Sequence, residues 1–135
     1  MQEAIVLKIK SSPCQIKYIE NFVQSLKSKC NLHQEVHDNI LISLTEAVNN
    51  AIFHGNKQNE KKFVDICCEE KRKKLVIRIS DEGVGFNPNS IADPTLPANL
   101  ECYGGRGVFI MKELSDKIEF LDNGRTIKMH FTKSI

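Results

Sequence analysis

The 135-residue sequence predicts an α+β fold, a two-layer sandwich in which a mostly antiparallel sheet carries helices on one face. Residues 62–70 and 74–81 alternate apolar and polar side chains across a short charged turn, which favours an antiparallel hairpin. A second alternating hairpin lies near the end of the chain. Three other segments have helical spacing, giving the order β-α-α-β-β-α-β-β. We expect one domain, residues 1–135, since this is the length of an ordinary single domain.

The first strand is predicted at residues 4–10, a short run rich in β-branched and aliphatic side chains. A helix should follow, because Ser12 can cap its N-terminus and Pro13 suits the first helical position. The apolar residues of this helix recur at helical spacing, at Ile16, Ile19, Phe22, Val23 and Leu26.

A second helix is predicted from about His33 to His54. Its core-facing stripe consists of Val36, Ile40, Leu44, Ala47 or Val48, and Ala51. Gly55 is expected to end this helix, because glycine readily adopts the left-handed conformation of a C-terminal cap.

The central hairpin should turn alternate apolar side chains towards the core, at Val64, Ile66, Cys68, Leu75, Ile77 and Ile79. Periodicity then disappears, and the proline-containing residues 86–104 are predicted to form a lid. A third helix is predicted at residues 105–116, marked by Val108, Met111 and Leu114. The last hairpin should turn at Asp122-Asn123-Gly124 between alternating strands.

Polar residues follow one another along the second helix at steps of three or four, at Asn39, Ser43, Glu46, Asn50 and His54. An asparagine can offer a neutral oxygen to Mg²⁺, and a glutamate one turn away can accept a proton from a hydroxyl. The alternative is that this line is only the solvated side of an amphipathic helix.

Two glycine-containing segments flank the predicted lid. Asp81 ends an apolar strand and is followed by Gly83 and Gly85, so a carboxylate could face an exocyclic amine beside a closely approaching backbone. Residues 104–107, with sequence Gly-Gly-Arg-Gly, precede a helix, where backbone N–H groups can bind an anion. Either segment alone is also compatible with a plain turn or a helix lead-in.

Composition excludes several classes of partner. The net charge is +2, which gives no electrostatic case for nucleic acid or an acidic membrane. No stretch approaches the ~18 apolar residues that cross a bilayer, and the N-terminus does not resemble a signal peptide. The five cysteines lack C-x-x-C spacing, so we expect reduced thiols in or near a core, and a cytoplasmic protein.

The order of these motifs resembles the ATP-binding fold shared by DNA gyrase and histidine kinases. Residues 45–55 (TEAVNNAIFHG) closely resemble the N box of bacterial anti-sigma factor serine kinases. Residues 81–86 (DEGVGF) resemble the first glycine box of that family, and residues 105–111 (GRGVFIM) resemble the second. The resemblance covers essentially the whole chain.

The resemblance implies a role for each matching residue. Asn50 would be the magnesium ligand and Glu46 the general base. Asp81 would hold adenine, with Gly83 and Gly85 forming the wall beneath it.

The second glycine box would bind the phosphates of ATP. Gly105 and Gly107 would contribute backbone contacts, and Arg106 could contact a phosphate or a partner. Thr126 would lie near adenine, although Arg125 separates it from the glycine that precedes the threonine in the family.

The resemblance also implies a function, namely a homodimeric kinase that uses ATP and Mg²⁺ in a partner-switching system. Such a kinase binds a sigma factor and phosphorylates a serine on an anti-sigma factor antagonist. A non-catalytic module whose ATP-dependent lid gates a non-sigma partner is the alternative, and Glu46 argues against it. A detached histidine-kinase catalytic domain is a third possibility, but no dimerisation hairpin precedes the second helix.

Overall fold

The computed structural model describes residues 4–83 and 105–133, which form one sheet and a layer of helices. The strands are β1 (Ala4–Lys10), β2 (Phe63–Glu70), β3 (Lys74–Ser80), β4 (Lys117–Leu121) and β5 (Thr126–Thr132). The α-helices within these ranges are α1 (Lys17–Cys30), α2 (Gln34–Asn49) and α3 (Gly105–Leu114). The predicted lid, residues 86–104, lies outside the described residues.

The strands have the order β1-β2-β3-β5-β4, and every neighbouring pair is antiparallel. The predicted α+β class with a mostly antiparallel sheet is therefore confirmed. Strand β3 pairs with β5, so Ser80 lies opposite Thr126 at one end of the sheet. The backbone N–H of Asp81 extends this pairing by donating to the carbonyl of Arg125 (2.9 Å). This end of the sheet carries the candidate site.

The core lies between the sheet and the helices and consists largely of the predicted apolar stripes. The stripe of α2 is buried, including Ala47 and Val48 together, as are the six predicted inward residues of β2 and β3. Of the third helix, Val108 and Met111 are buried and Leu114 is half-buried. Both predicted hairpins are present. No helix among the described residues is long and apolar enough to cross a membrane.

The start of the first helix lies where it was predicted but has a different geometry. Residues 13–16 form a 3₁₀ turn that leads into α1. Ser12 has extended backbone angles but makes no side-chain capping bond, and its hydroxyl lies 3.2 Å from the Sγ of Cys14. A 3₁₀ turn has poorer hydrogen-bond geometry than an α-helix, so Pro13, which needs no amide partner, suits it well.

The end of the second helix differs from the prediction in an informative way. Helix α2 continues into a π-helical turn, Asn50–Gly55, and the right-handed residue Asn56 follows it. The expectation that Gly55 is a left-handed terminator is wrong, since Gly55 does not have a positive φ. A Cβ on Gly55 would instead lie 2.4 Å from Oδ2 of Asp81. Glycine is required here because a carboxylate occupies the space of a side chain.

The described cysteines are free thiols, and those in the core are chemically quiet. Cys30 and Cys68 are buried, Cys67 is half-buried and Cys14 is exposed. Burial raises the pKa of the Cys68 thiol to about 12, so it stays neutral and unreactive near neutral pH. The prediction of thiols packed in or near a core is confirmed for these buried residues, and Cys102 lies outside the described residues.

Candidate functional site

Helix α3 packs against α2, and two polar side chains, from α2 and the π turn that follows it, lie close to the backbone of Gly107. A Cβ on Gly107 would lie 3.1 Å from Oε2 of Glu46, 3.2 Å from Nδ2 of Asn50 and 3.4 Å from Oδ1 of Asn50. These distances are at or below ordinary van der Waals contact, so a side chain here would crowd both groups. The structure therefore brings together three residues that the sequence analysis selected from two separate motifs, Glu46 and Asn50 from the polar line of the second helix and Gly107 from the segment before the third.

The polar line along α2 is not the solvated face of an amphipathic helix. Ser43 is fully buried, and Asn39, Glu46, Asn50 and His54 are half-buried. Burial also lowers the pKa of His54, which favours its neutral form. Burial of this many polar groups costs free energy, because each group loses its hydration, and proteins bury them only where an interaction compensates for that cost.

Three buried polar atoms on this helix find no hydrogen-bond partner among the described residues. They are Oγ of Ser43, Oδ1 of Asn49 and Nδ2 of Asn50. Most buried polar atoms in proteins are paired, and an unpaired one costs roughly 1–3 kcal/mol. The carboxamide of Asn50 can present either its oxygen or its nitrogen to a ligand, which makes it a fitting contact for one.

The Asp81 carboxylate lies against the backbone of two glycines, Gly55 and Gly83. Its Oδ1 accepts a hydrogen bond from the N–H of Gly83 (2.7 Å), and the backbone of Gly55 packs against the carboxylate. A Cβ on Gly83 would lie 2.1 Å from the carbonyl oxygen of Gly55. Burial raises the pKa of Asp81, while the Gly83 N–H and the positive charges of Arg125 and Lys62 oppose this. The result is a half-buried acceptor held in a fixed orientation.

The other predicted site residues take different positions around these two clusters. Thr126 is buried beside Asp81 in the sheet, and its hydroxyl bonds with Oγ of Ser80 (3.0 Å) and donates to Oδ2 of Asp122 (2.9 Å). Arg106 is exposed in the first turn of α3, directly after Gly105. Gly85 lies outside the described residues.

A groove of about 500 Å³ opens beside Glu46. It is lined by Ile16, Lys17, Glu20, Leu41, Ile42, Thr45 and Glu46, which come from the start of α1, the turn before it and the outer side of α2. Ile42 is 47% exposed, so part of the apolar floor is open to solvent. The sequence analysis missed this groove, because Leu41 and Ile42 lie outside the core stripe and nothing in their spacing joins them to Ile16.

The sequence analysis also missed Asn56, which is 2% exposed. Its Oδ1 accepts a hydrogen bond from the N–H of Glu82 (2.8 Å), in the turn that holds Asp81. An asparagine just after a helix is ordinary in a sequence, so only its burial distinguishes it.

Comparison with known proteins identifies the family of this chain. Residues 9–131 match the model of the histidine kinase-like ATPase domain. The chain belongs to the histidine kinase-like ATPase family. Membership implies ATP binding.

Similar proteins include two kinds of bacterial regulator. The chain is 23% identical to a serine-protein kinase RsbW of Listeria innocua over 136 aligned positions, covering 96% of this chain and 87% of the relative. It is 38% identical to an anti-sigma F factor of Bacillus cytotoxicus over 97 positions, covering 67% of this chain and 64% of that protein.

A solved structure containing RsbU and RsbW domains from Mycobacterium tuberculosis superposes with a TM-score of 0.64. The superposition covers 98% of this histidine kinase-like ATPase and 32% of the other chain, at 9% sequence identity. At this identity the likeness concerns the fold, and it agrees with the sheet and helix layer described above.

Proposed function

We propose that this histidine kinase-like ATPase is a serine-protein kinase that uses ATP and Mg²⁺ and acts as an anti-sigma factor. Its substrate would be a serine on an anti-sigma factor antagonist. The observation that carries the proposal is the position of Glu46. Its carboxylate lies against the backbone of Gly107, one turn from Asn50, and the same side chain lines an open groove.

In this proposal the nucleotide lies between Asp81 and the start of α3. Asp81 accepts a hydrogen bond from the exocyclic amine of adenine, and Gly83 and Gly85 provide the surface beneath the base. Thr126 lies at the adenine end. Gly105 and Gly107 offer N–H groups at a helix N-terminus, and Arg106 adds a positive charge there.

Asn50 is the proposed protein ligand of Mg²⁺. Its carboxamide fits because it is neutral and its oxygen is the kind of ligand that Mg²⁺ takes, while Nδ2, unpaired among the described residues, is free to donate to a phosphate oxygen. Magnesium takes few protein ligands when it is bound to phosphates, so a single asparagine suffices. When bound, the ion neutralises charge on the transferred phosphoryl group.

Glu46 acts as the general base in this proposal. Its carboxylate accepts the proton of the acceptor serine hydroxyl as the serine oxygen bonds to the γ-phosphorus of ATP and the bond from that phosphorus to the β–γ bridging oxygen breaks, so that ADP leaves. The groove beside Glu46 gives a protein segment a route to this carboxylate without passing through the nucleotide. We assign the groove to the segment of the antagonist that carries the serine.

The partners are proposed on the printed names of the relatives, a serine-protein kinase and an anti-sigma F factor. They are the antagonist and a sigma factor, with homodimerisation of the kinase itself and a cytoplasmic location. We take residues 1–135 as one domain that carries both the kinase site and the binding surfaces.

Phosphate transfer from radiolabelled ATP to a cognate antagonist tests the proposal. Glu46→Gln keeps the size and most hydrogen bonding of the side chain but removes its proton-accepting charge. Its transfer rate should fall by about 10²-fold or more for loss of a general base, while ATP binding persists. Asn50→Ala should instead weaken binding of ATP with Mg²⁺ and abolish transfer.

Two outcomes would contradict the assignment. Transfer by Glu46→Gln at the wild-type rate would show that Glu46 is not the base. A folded wild-type protein that binds ATP but phosphorylates no antagonist would favour a non-catalytic, ATP-gated binding module acting on another partner.

A further inference from the structure

The turn that carries Asp81 is held by two hydrogen bonds, from the N–H of Asp81 to the carbonyl of Arg125 and from the N–H of Phe63 to Oε2 of Glu82. It is held in addition by one buried side chain, that of Asn56. The N–H of Glu82 donates to Oδ1 of Asn56 (2.8 Å), and Glu82 lies between Asp81 and Gly83. Asn56 is 2% exposed, so this bond is shielded from water. A hydrogen bond in such surroundings holds its groups more firmly than one at the surface.

The nitrogen of the same carboxamide is anchored on the opposite side. Nδ2 of Asn56 donates to Oγ of Ser11 (2.6 Å) and to the carbonyl oxygen of Phe63 (3.0 Å). Ser11 is fully buried after β1, and its hydroxyl donates to the carbonyl of Lys62 (2.9 Å). Residues at the end of β1 and at the start of β2 thus hold the side-chain amide of Asn56, and this amide is bonded to the turn that carries Asp81.

The residue before Asn56 completes the arrangement. Gly55 lies against the Asp81 carboxylate and against Gly83, as described above. The backbone N–H of Asn56 donates to the carbonyl of Ala51 (2.8 Å), a bond five residues back that belongs to the π turn. A π turn is uncommon and often marks a functional site. Here it starts at Asn50 and ends against Asp81, so it joins the two clusters of the site.

We propose that Asn56 is a positioning residue for recognition of the nucleotide base. It acts through Asp81, because its bond to the Glu82 N–H fixes the turn and thereby the direction of the carboxylate. The inference rests on the proposed function, in which Asp81 accepts a hydrogen bond from adenine. It predicts that Asn56 contributes to discrimination between bases without itself contacting the nucleotide.

Binding of ATP and of inosine triphosphate, each with Mg²⁺, provides the test. Inosine triphosphate has a keto oxygen in place of the exocyclic amine and should bind the wild type about 10- to 100-fold more weakly than ATP, for loss of a bond to a charged group. Asn56→Ala should weaken ATP binding by about tenfold and inosine triphosphate binding much less. Asp81→Asn should reduce the preference too, and adding Asn56→Ala to it should change little.

Ser11→Ala is the matched control. It removes a buried hydroxyl that is one of the two acceptors of the Asn56 Nδ2, but leaves the Asn56–Glu82 bond in place. It should lower the unfolding temperature, as Asn56→Ala does, while the preference for ATP remains. Asn56→Asp keeps an acceptor for the Glu82 N–H and loses both donors, so it should retain more of the preference than Asn56→Ala.

The outcomes separate the inference from its premise. If the wild type prefers ATP and Asn56→Ala keeps the full preference, Asn56 does not position Asp81. Equal loss of the preference for ATP in Ser11→Ala and Asn56→Ala would show that both residues have only a general structural role, and it would overturn the inference. If Asn56→Ala does not fold, loss of preference in Asn56→Asp would likewise overturn it. A wild type that binds both nucleotides equally would overturn the adenine assignment itself, and the inference with it.

Discussion

Gly107 is a helical glycine whose missing side chain leaves room for Glu46 and Asn50. Alanine at an exposed helix position is more stable than glycine by roughly 0.5–1 kcal/mol, through its backbone entropy. At Gly107 a Cβ would meet Oε2 of Glu46 at 3.1 Å and Nδ2 of Asn50 at 3.2 Å. Gly107 is buried, and each of those side chains would have to move by a few tenths of an ångström to admit the methyl group, so the crowding opposes the gain in helix propensity and displaces both groups of the site.

We therefore predict that Gly107→Ala changes the unfolding temperature little, because helix propensity and crowding oppose each other, while phosphate transfer falls about tenfold or more, because misplacement of catalytic groups by less than an ångström is costly. Thermal unfolding and the radiolabelled transfer assay measure the two effects. Arg106→Ala adds no Cβ at this contact and serves as a neighbouring control for stability. Full transfer activity in Gly107→Ala would show that this crowding does not affect the site.

We predict that Asp81, through its proposed contact with adenine, makes ATP binding dependent on pH. Burial raises the pKa of this carboxyl above its ordinary value of 3.8. The native protein therefore holds the proton at pH values at which the unfolded chain has released it, and stability falls as pH rises through that interval. ATP binding has the opposite sign, since the carboxylate is the better acceptor, and affinity should fall as pH drops through the raised pKa.

The fall in affinity for a single proton is at most about tenfold per pH unit. Calorimetric titration with ATP between neutral pH and the onset of acid unfolding measures it, with Asp81→Asn as the reference. Subtracting the profile of the variant removes the contribution of other titrating groups. Identical profiles in the two proteins would show that protonation of Asp81 does not control binding.

Apart from Glu46, the side chains of α2 that line the groove are not those of the proposed nucleotide site. The groove can therefore be tested separately. Ile42 is 47% exposed there, and covering it with a bound segment would remove apolar surface from water. Ile42→Asp should raise the KM for a cognate antagonist by about tenfold, the equivalent of ~1.4 kcal/mol, without changing ATP affinity. Steady-state transfer kinetics with varied antagonist measure this.

A matched substitution guards against a general effect of added charge. Leu121→Asp also places an acid on a partly exposed aliphatic position, 37% exposed, but in β4 and away from the groove. It should leave the KM for the antagonist unchanged. Equal effects of the two substitutions, or no effect of Ile42→Asp, would remove the groove as the docking site.

The elements themselves could be predicted well, because each depends on a local pattern. Strand β1 followed from a short run rich in β-branched and aliphatic side chains, and the buried stripe of α2 followed from the three-to-four-residue spacing of apolar side chains. The π turn at Asn50–Gly55 could not, since the apolar spacing continues through Ala51 and Ile52. Its cause is tertiary: the Asp81 carboxylate needs space beside Gly55, and Asp81 arrives from a strand far along the chain.

The same distinction explains the site. Glu46, Asn50, Asp81 and Gly107 were found through motifs that contain them. Asn56 and the groove were not, because their partners are distant in sequence and only the fold brings them together. Asn56 bonds to residues on both sides of it, at Ser11 and Glu82.

At the scale of the whole molecule, the proposed homodimer can be tested directly on the isolated protein. The proposal rests on the family resemblance stated above. Sedimentation equilibrium or light scattering on the purified protein should give twice the mass of the chain. Repeating the measurement with ATP and Mg²⁺ shows whether the assembly depends on nucleotide. A mass equal to one chain under both conditions would remove the homodimer from the proposal.

The pairing of β3 with β5 has a consequence for how this protein can change over evolutionary time. Ser80 lies opposite Thr126, and Asp81 is bonded to Arg125, while α3 and β4 come between these strands in the chain and β4 pairs with β5 in the same sheet. The entropy of closing a loop grows only with the logarithm of its length, and doubling the length costs about 0.6 kcal/mol. A change in the number of residues between Gly83 and Gly105 therefore costs the sheet little as long as α3 and β4 are kept, and descendants of one ancestor can diversify this segment while keeping the scaffold.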